Sequence, residues 1–306
     1  MKIEKRFLLG GITLLIVAIG IIGFREVMPD VALKSYGNES TYKVYALELP
    51  DTLSFSGEKV PLEYPDIRER LDKELLVNTY WQSNTMLLIK RAHKYFPRIE
   101  KILEEEGIPD DFKYLAIIES GLENVRSPKG AKGFWQLMRG TAREYGLEVN
   151  SNVDERYHLE LSTRVACRYL KKAKKRFGSW TLAAASFNRG MYGVDSELKR
   201  QQVANYYDLL LNRETSRYVF RIHAVKEIIS HPEHYGFVFE QQDLYNEIPV
   251  RRVGLDTAIT NIASFSKQMG VNYKILKIHN PWLLENHLNN KSRKYYEIAI
   301  PENGYY

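Results

Sequence analysis

Apolar residues recur at helical spacing through most of the chain between residues 66 and 232. Ile67, Leu71 and Leu75, for example, repeat every four residues, which places them on one face of a helix. Strand-like alternation is scarce over the same range, so the pattern predicts a mainly α-helical domain. The predicted helices include residues 98–106, 158–176, 181–187 and 217–230.

The pattern changes after Pro232. A strand-like segment at 248–253 is followed by helical segments at 256–269 and 273–279 and by a closing strand at 295–300. This order of elements predicts a small second domain with a β-α-α-β arrangement.

The N-terminus carries an uncharged apolar run over residues 7–24, preceded by basic side chains. As a helix these residues would span about 27 Å, which matches one hydrocarbon core, and the basic end would stay in the cytoplasm. No small-residue cleavage site follows the run. We therefore expect an uncleaved signal anchor in residues 1–30, with a cleaved signal peptide as the alternative. In both cases the rest of the chain functions outside the cytoplasm.

Composition narrows the classes of partner. Lysine and arginine number 44 against 38 acidic residues, giving a net charge of +6, which suits an anionic cell wall, membrane surface or nucleic acid. The expected location outside the cytoplasm argues against nucleic acid. The single cysteine, Cys167, excludes an intramolecular disulfide framework and a cysteine-rich metal site. The histidines have no metal-ligand spacing, so we expect no metal site.

Glu119 is the first candidate for chemistry. Phe112, Leu115, Ala116 and Glu119 share one helix face, and Gly121 is a plausible helix stop. Burial and the negative end of the helix dipole both disfavour a carboxylate there, so both should raise the pKa of Glu119. A general acid that functions near neutral pH needs such a shift. The alternative is a partly buried glutamate paired with an arginine.

A loop punctuated by glycines follows, over residues 127–133, and leads into Phe134, Trp135 and Gln136. Glycines let the backbone approach a ligand closely. Aromatic rings beside an amide suit a sugar, because ring faces pack on aromatics and amides bond hydroxyl or acetamido groups. The alternative is a turn that leads into a core helix with a buried tryptophan.

Two further polar positions fall in helical segments. Asn188 is a polar residue within the mostly small and apolar run at 183–190, and its alternative interpretation is a helix-terminal cap. Glu214 and Tyr218 lie four residues apart and so share a helix face, with an ordinary surface pair as the alternative.

Taken together and in this order, these four elements resemble the catalytic domain of the soluble lytic transglycosylase family, and more narrowly its membrane-bound murein branch of the Bacteroidetes type. The resemblance runs from about residue 55 to the C-terminus. It implies that Glu119 is the catalytic acid/base, and that Phe187 replaces a tyrosine usual in the family, which removes a hydroxyl. The substrate-binding residues implied by the resemblance are Ser120, Ser127, Gly133, Phe134, Trp135, Gln136, Phe187, Asn188, Glu214 and Tyr218.

The resemblance also implies a reaction. The substrate is the glycan of peptidoglycan, and the bond is the β-1,4 link from N-acetylmuramic acid to N-acetylglucosamine. Glu119 protonates the glycosidic oxygen and then accepts the proton of the muramic C6 hydroxyl, which attacks C1 and leaves a 1,6-anhydro end. No cofactor is required. The alternatives are a muramidase that adds water and a catalytically impaired peptidoglycan-binding scaffold.

The C-terminal unit, residues 241–306, resembles a degenerate LysM module, a fold that binds N-acetylglucosamine polymers. The alternative is a packing module without sugar binding. The predicted organisation is mainly α: a transmembrane anchor (1–30) in the inner membrane, an extended tether (31–60), a lysozyme-like catalytic domain in the periplasm (61–236) and the LysM-like module (241–306). The expected partners are glycan strands and the inner membrane, and not nucleic acid; the sequence does not identify protein partners.

Overall fold

The computed structural model describes residues 44–302. The predicted anchor in residues 1–30 and the first part of the predicted tether lie outside them. Among the described residues, no helix combines the length and the apolar character needed to cross a membrane. The prediction of a mainly helical fold with a small strand-containing C-terminal module is confirmed.

Ten α-helices account for about half of the described residues, and four short segments form single 3₁₀ turns. The α-helices are α1 (Pro65–Tyr80), α2 (Gln82–Glu105), α3 (Lys113–Ser120), α4 (Arg139–Glu144), α5 (Leu159–Phe177), α6 (Trp180–Arg189), α7 (Met191–Gln201), α8 (Arg213–Ser230), α9 (Ile262–Gln268) and α10 (Tyr273–His279). The 3₁₀ turns are Asp110–Phe112, Glu155–Tyr157, Pro232–Tyr235 and Gln241–Asp243.

Two antiparallel strand pairs complete the described structure. The first is a two-residue hairpin, and the second joins the start of the C-terminal module to its end, with Val253 opposite Ile298. The strands are β1 (Ser54–Phe55), β2 (Glu58–Lys59), β3 (Val250–Leu255) and β4 (Tyr296–Pro301).

Helix α8 is central to the helical part, since it packs on α1, α3 and α6. The predicted stripe of Ile67, Leu71 and Leu75 on α1 is fully buried, as are Leu115 of α3 and Phe220 of α8. Burial of apolar side chains on this scale is the main source of folding free energy. The packing also fixes which side chains of α8 point toward α3.

Two helices begin where an asparagine caps them rather than where the apolar pattern begins. The predicted helix at 256–269 begins only at Ile262, because the Asn261 side chain accepts a hydrogen bond from the Ser264 N–H at 2.9 Å. Helix α8 begins earlier than predicted, because Asn212 caps it in the same way. The earlier start brings Glu214 into the first turn of α8.

The prediction of an extended tether over residues 31–60 is wrong for its last part. Leu53, Phe55 and Val60 are buried in the helical core, and the Phe55 ring packs edge-on against Phe112 with centroids 5.1 Å apart. Two-residue strands are too short to give a pattern that sequence analysis would detect. These residues belong to the domain, not to a spacer before it.

Glu58 in β2 attaches this hairpin to the start of α6. Its carboxylate accepts hydrogen bonds from the backbone N–H groups of Trp180 and Thr181, at 2.5 and 2.9 Å, and from the Ser179 hydroxyl at 2.7 Å. Burial by itself raises the pKa of Glu58, but these hydrogen bonds outweigh it and hold the pKa below its ordinary value. The carboxylate therefore caps the positive end of a helix that is remote in sequence.

The C-terminal module shares its core with the helical part. Val153, which precedes α5, is buried in the same cluster as Trp282, Leu283 and Ile298 of the module. The backbone N–H of Asp154 donates to the Trp282 carbonyl at 2.9 Å. A backbone hydrogen bond and apolar packing therefore both join the helical part to the module.

We expect Glu58→Gln to lower the free energy of unfolding by about 1 kcal/mol at neutral pH, because the amide is a weaker acceptor for the N-terminal N–H groups of α6. The difference should shrink as pH falls below about 4.5, where the unfolded chain takes up a proton, and it should be gone once pH has fallen below the lowered pKa of the folded carboxylate. Urea denaturation of both proteins measures it. Glu63→Gln, which alters only an exposed pair with Lys59, is the control and should cost little; an equal loss in both variants would contradict the capping role.

Candidate active site

Glu119 lies in the last turn of α3, as predicted. Gly121 ends the helix in the left-handed conformation, with φ of 63°, and its N–H donates to the Ile117 carbonyl at 2.7 Å. Because the helix stops there, the Glu119 carboxyl lies at the negative end of α3.

The Glu119 side chain lines an open cleft of about 430 Å³. The cleft is formed by the end of α1, the start of α2, the end of α3 and one face of α8. Glu119 is partly exposed, so a ligand in the cleft has access to its carboxyl. Other lining residues include Glu74, Asn78, Trp81, Asn84, Arg91, Glu123, Arg217 and Arg221.

A phenol from α8 holds the Glu119 carboxyl. The Tyr218 hydroxyl donates to Glu119 Oε1 at 2.5 Å, and the Tyr218 side chain is buried. Burial raises the pKa of Glu119 to about 7, while this hydrogen bond and the nearby charge of Arg221 oppose the rise and the charge of Glu214 adds to it. Glu119 is therefore partly protonated at neutral pH, which suits a group that both donates and accepts a proton.

Other carboxylates around the cleft are engaged with donors. Glu74 is buried and receives both the Nε and Nη2 groups of Arg217, at 2.5 and 2.9 Å. Glu123 pairs with Arg91 at 2.9 Å. Three carboxylates of the described chain line this cleft. Glu74 and Glu123 are bound by arginines, whereas Glu119 is bound by the neutral hydroxyl of Tyr218.

Ser120 connects α3 to the loop that follows. Its Oγ lies 3.0 Å from the Ala116 carbonyl and 2.9 Å from the Phe134 carbonyl, so its hydroxyl bridges the helix and the loop. The Ser127 Oγ accepts the N–H of Ala131 at 3.0 Å and thereby closes a tight turn in the same loop. Both hydroxyls thus hold the loop in shape.

Gly133 lies where a side chain does not fit. Its φ is 78°, and a Cβ at this position would stand 2.0 Å from the Arg156 carbonyl oxygen. The conformation and the close approach both require glycine. Gln136 also has a positive φ, 44°, and its Nε2 donates to the Gly133 and Val125 carbonyls at 2.8 and 3.1 Å.

The interpretation of Phe134 and Trp135 as an exposed sugar platform is wrong. Trp135 is completely buried, and its indole N–H donates to Thr163 Oγ1 at 2.8 Å. Phe134 is also buried, with its ring edge-on to Tyr95. The alternative of a turn with a buried tryptophan fits instead, because desolvating large rings stabilises the loop on the core.

Asn188 and Glu214 are brought together. The Asn188 Nδ2 donates to Glu214 Oε1 at 3.1 Å, and the Thr215 hydroxyl donates to Asn188 Oδ1 at 2.9 Å. The neighbouring Phe187 packs edge-on against Tyr169, with centroids 5.3 Å apart. The end of α6 is therefore fixed to the start of α8, one turn before Tyr218.

The sequence pattern did not point to Trp81 or to the arginines that line the cleft. Trp81 stands at the break between α1 and α2, lines the cleft and is 60% exposed. Arg217 and Arg221 are spaced four apart and so share a face of α8, which was visible in the sequence. The sequence does not reveal that this face points at Glu119, since that depends on how α8 packs on α3.

Two protein families match this chain. Residues 98–210 match the Transglycosylase SLT domain, and residues 251–304 match the Soluble lytic transglycosylase C-terminal LysM-like domain. The first range contains Glu119, the loop and Asn188, whereas Glu214 and Tyr218 lie beyond it.

Sequence relatives match this chain over part of their length. The membrane-bound lytic murein transglycosylase D of Escherichia coli strain K12 is 27% identical over 239 residues, which is 75% of this chain and 51% of that protein. A putative tributyltin chloride resistance protein of Alteromonas sp. strain M-1 is 30% identical over 36% of this chain and 55% of its own length. The chain thus spans about half the length of the curated relatives it matches.

Solved structures are similar over part of the chain. The 70 kDa soluble lytic transglycosylase of Escherichia coli aligns over 45% of this chain and 24% of its own, with 21% identity and a TM-score of 0.39. An inactive mutant of the lytic transglycosylase Slt from Pseudomonas aeruginosa aligns over 49% and 26%, with the same identity and TM-score. The resemblance predicted from the motifs is confirmed by the family and sequence matches: this chain is homologous to membrane-bound lytic murein transglycosylase D, with an SLT domain followed by a LysM-like domain.

Proposed function

We propose that this chain is a lytic murein transglycosylase that cleaves the β-1,4 bond from N-acetylmuramic acid to N-acetylglucosamine without adding water. The observation that carries the proposal is Glu119, a carboxyl of the SLT domain with a pKa of about 7, which one phenol holds in an open cleft. A sugar oxygen that reaches this carboxyl meets a donor that is half protonated near neutral pH.

Glu119 serves twice in the proposed reaction. Its proton passes to the glycosidic oxygen as the bond to C1 breaks through an oxocarbenium-like state. The resulting carboxylate then takes the proton of the C6 hydroxyl while that oxygen bonds to C1, which closes the 1,6-anhydro ring. The Tyr218 hydroxyl supports the first half, since its hydrogen bond stabilises the carboxylate that remains once Glu119 has given up its proton.

The partners of the other carboxylates favour this route over a hydrolytic muramidase. A hydrolase needs a second group to position water or form a covalent intermediate. Glu74 is neutralised by Arg217, Glu123 by Arg91, and Glu214 accepts a hydrogen bond from Asn188. Glu214 is the remaining candidate for a second acid, because its charge acts on Glu119.

Trp81 supplies the exposed aromatic surface that the Phe134-Trp135 pair does not. We infer that a sugar ring of the glycan stacks on Trp81 in the Glu119 cleft, with the amides of Asn78 and Asn84 beside it. The glycan strand of peptidoglycan is the proposed partner.

We further propose that the chain functions in the cell envelope, with residues 1–30 as an inner-membrane anchor. Residues 61–236, together with the buried hairpin that precedes them, are proposed as the catalytic domain in the periplasm. The charge pattern of the N-terminus supports this location, as does the membrane-bound description of the Escherichia coli relative. Residues 241–306 are proposed as the LysM-like module.

The first test is Glu119→Gln, which keeps the size of the side chain but removes its proton chemistry. We expect cleavage of peptidoglycan to fall on the order of 10³-fold while binding to it persists. Mass spectrometry of the soluble products from the wild type should find 1,6-anhydromuramic ends. Glu123→Gln is the matched control and should retain activity. If the wild type instead produces reducing ends, and Glu214→Gln no longer produces them, the enzyme is a hydrolase.

The second test concerns the pH profile. Cleavage requires protonated Glu119, so activity should fall as pH rises through about 7. Tyr218→Phe removes a hydrogen bond that lowers the pKa of Glu119, so the basic limb should move to higher pH and kcat should drop by about tenfold. Tyr114→Phe, whose hydroxyl lies 3.4 Å from Ser230 Oγ, should leave the limb in place. A limb that moves to lower pH would contradict this account.

The third test is Trp81→Ala. Loss of the stacking surface should raise KM for glycan about tenfold and change kcat less, whereas Trp81→Phe should restore most of the loss. Tyr192→Ala removes an aromatic ring that is 81% exposed on α7 and serves as the control. Equal effects of the two alanine variants would refute a specific role for Trp81.

A further inference from the structure

We propose that the C-terminal LysM-like module positions the loop beside Glu119, and that Arg156 and Asp154 transmit this constraint. This loop comprises residues 127–137. The activity measurement in the test rests on the proposed function, whereas the hydrogen-exchange measurement does not.

Arg156 binds the 127–137 loop at Gly130 and at its last residue, Leu137. Its Nη1 lies 3.0 Å from the Gly130 carbonyl and 3.2 Å from the Leu137 carbonyl, which are seven residues apart in sequence. Its side chain is almost completely buried, and its backbone carbonyl fills the space that a side chain on Gly133 would occupy. Arg156 therefore contacts the loop at three positions, Gly130, Gly133 and Leu137.

Asp154 orients Arg156 and also binds the loop directly. Its two carboxylate oxygens accept the Nε and Nη2 groups of Arg156 at 2.8 and 2.7 Å, which leaves Nη1 aimed at the loop carbonyls. The Lys132 Nζ, on the loop itself, donates to Asp154 Oδ2 at 3.0 Å. Asp154 is buried, so this network has little contact with water.

The segment that carries Asp154 is bound to the module. The Asp154 N–H donates to the Trp282 carbonyl, and Val153 lies in the apolar core of the module. The Asn152 side chain donates to the His287 carbonyl at 2.9 Å and accepts the N–H of Asn289 at 2.8 Å.

A side chain of the module reaches back across the same boundary. The Lys294 Nζ lies 2.9 Å from Glu148 Oε2 and 2.5 Å from Glu155 Oε1. The module thus contacts Glu148 and residues 152–155 through backbone, amide, apolar and charged groups.

The other end of this chain of contacts is the reacting carboxyl. The Phe134 carbonyl in the loop accepts from the Ser120 hydroxyl, and Ser120 directly follows Glu119 in α3. Direct contacts thus run from the module through Asp154 and Arg156 to the loop and the end of α3. Displacement of a catalytic group by about 1 Å costs on the order of 10²-fold in rate, so such a constraint affects catalysis.

A buried ion pair is a poor source of stability by itself. Removing both charges from water costs several kcal/mol, which their attraction repays only with good geometry and further hydrogen bonds. The geometry here is a two-point pairing in which Arg156 uses Nε, Nη1 and Nη2 at once. Lysine has a single nitrogen and does not reproduce it.

The test compares three variants of the full chain with the wild type. Arg156→Lys keeps the charge beside Asp154 but loses the fork, Lys294→Met breaks the module contacts far from the loop, and Arg164→Lys changes only exposed pairs with Glu105 and Glu106. Hydrogen exchange followed by mass spectrometry measures the loop, and kinetics on peptidoglycan gives kcat and KM.

In Arg156→Lys we expect exchange across residues 127–137 to rise about tenfold and kcat to fall about tenfold, with KM little changed and exchange in α8 unaltered. Lys294→Met should move the loop exchange and kcat in the same direction by a smaller factor, and Arg164→Lys should change neither. Unchanged loop exchange in Arg156→Lys, or a Lys294→Met effect confined to residues 250–301, would overturn the proposal. If the wild type releases no products from peptidoglycan, the hydrogen-exchange data still test whether the module positions the loop.

Discussion

The hydrogen bond from Tyr218 to Glu119 joins the end of α3 to α8, and the chemistry of the site depends on the packing that makes it. Because α8 also packs on α1 and α6, its first three turns bring Arg217 and Arg221 to the cleft and place the Tyr218 hydroxyl on Glu119. Burial raises the pKa of Glu119 while the phenol and the arginine charge limit the rise. The pKa near neutrality is therefore a property of α3 packed against α8 rather than of the Glu119 segment alone.

Sequence analysis identified what depends on local pattern. The stripe on α1, the stop at Gly121 and the place of Glu119 in the last turn follow from spacing and from the conformational freedom of glycine. It failed where a single side chain decides a boundary, as at Asn261, and where two residues of strand are stabilised only by distant contacts, as at Phe55. Local spacing contains no information about partners that lie far away in the chain.

The aromatic residues illustrate the same limit within the site. A tryptophan beside a glutamine has the chemistry of sugar binding whether it faces a cleft or the core, and burial against Thr163 decides the case for Trp135. Trp81 sits in an unremarkable helical stretch, yet the break between α1 and α2 leaves it exposed in the Glu119 cleft. Orientation toward solvent depends on tertiary packing, so residue type alone did not reveal which tryptophan is exposed.

The burial of Val153 in the core of the C-terminal module has a consequence for how such chains diversify. Modules joined by a flexible linker are exchanged by recombination with little loss, because the junction contributes no core. Here a residue that precedes α5 completes the apolar cluster around Trp282 and Ile298. A crossover between residues 210 and 251 would leave Val153 exposed and the module underpacked. The two parts are consequently expected to be inherited as a pair, and substitutions at Val153 should be accompanied by compensating changes across that boundary.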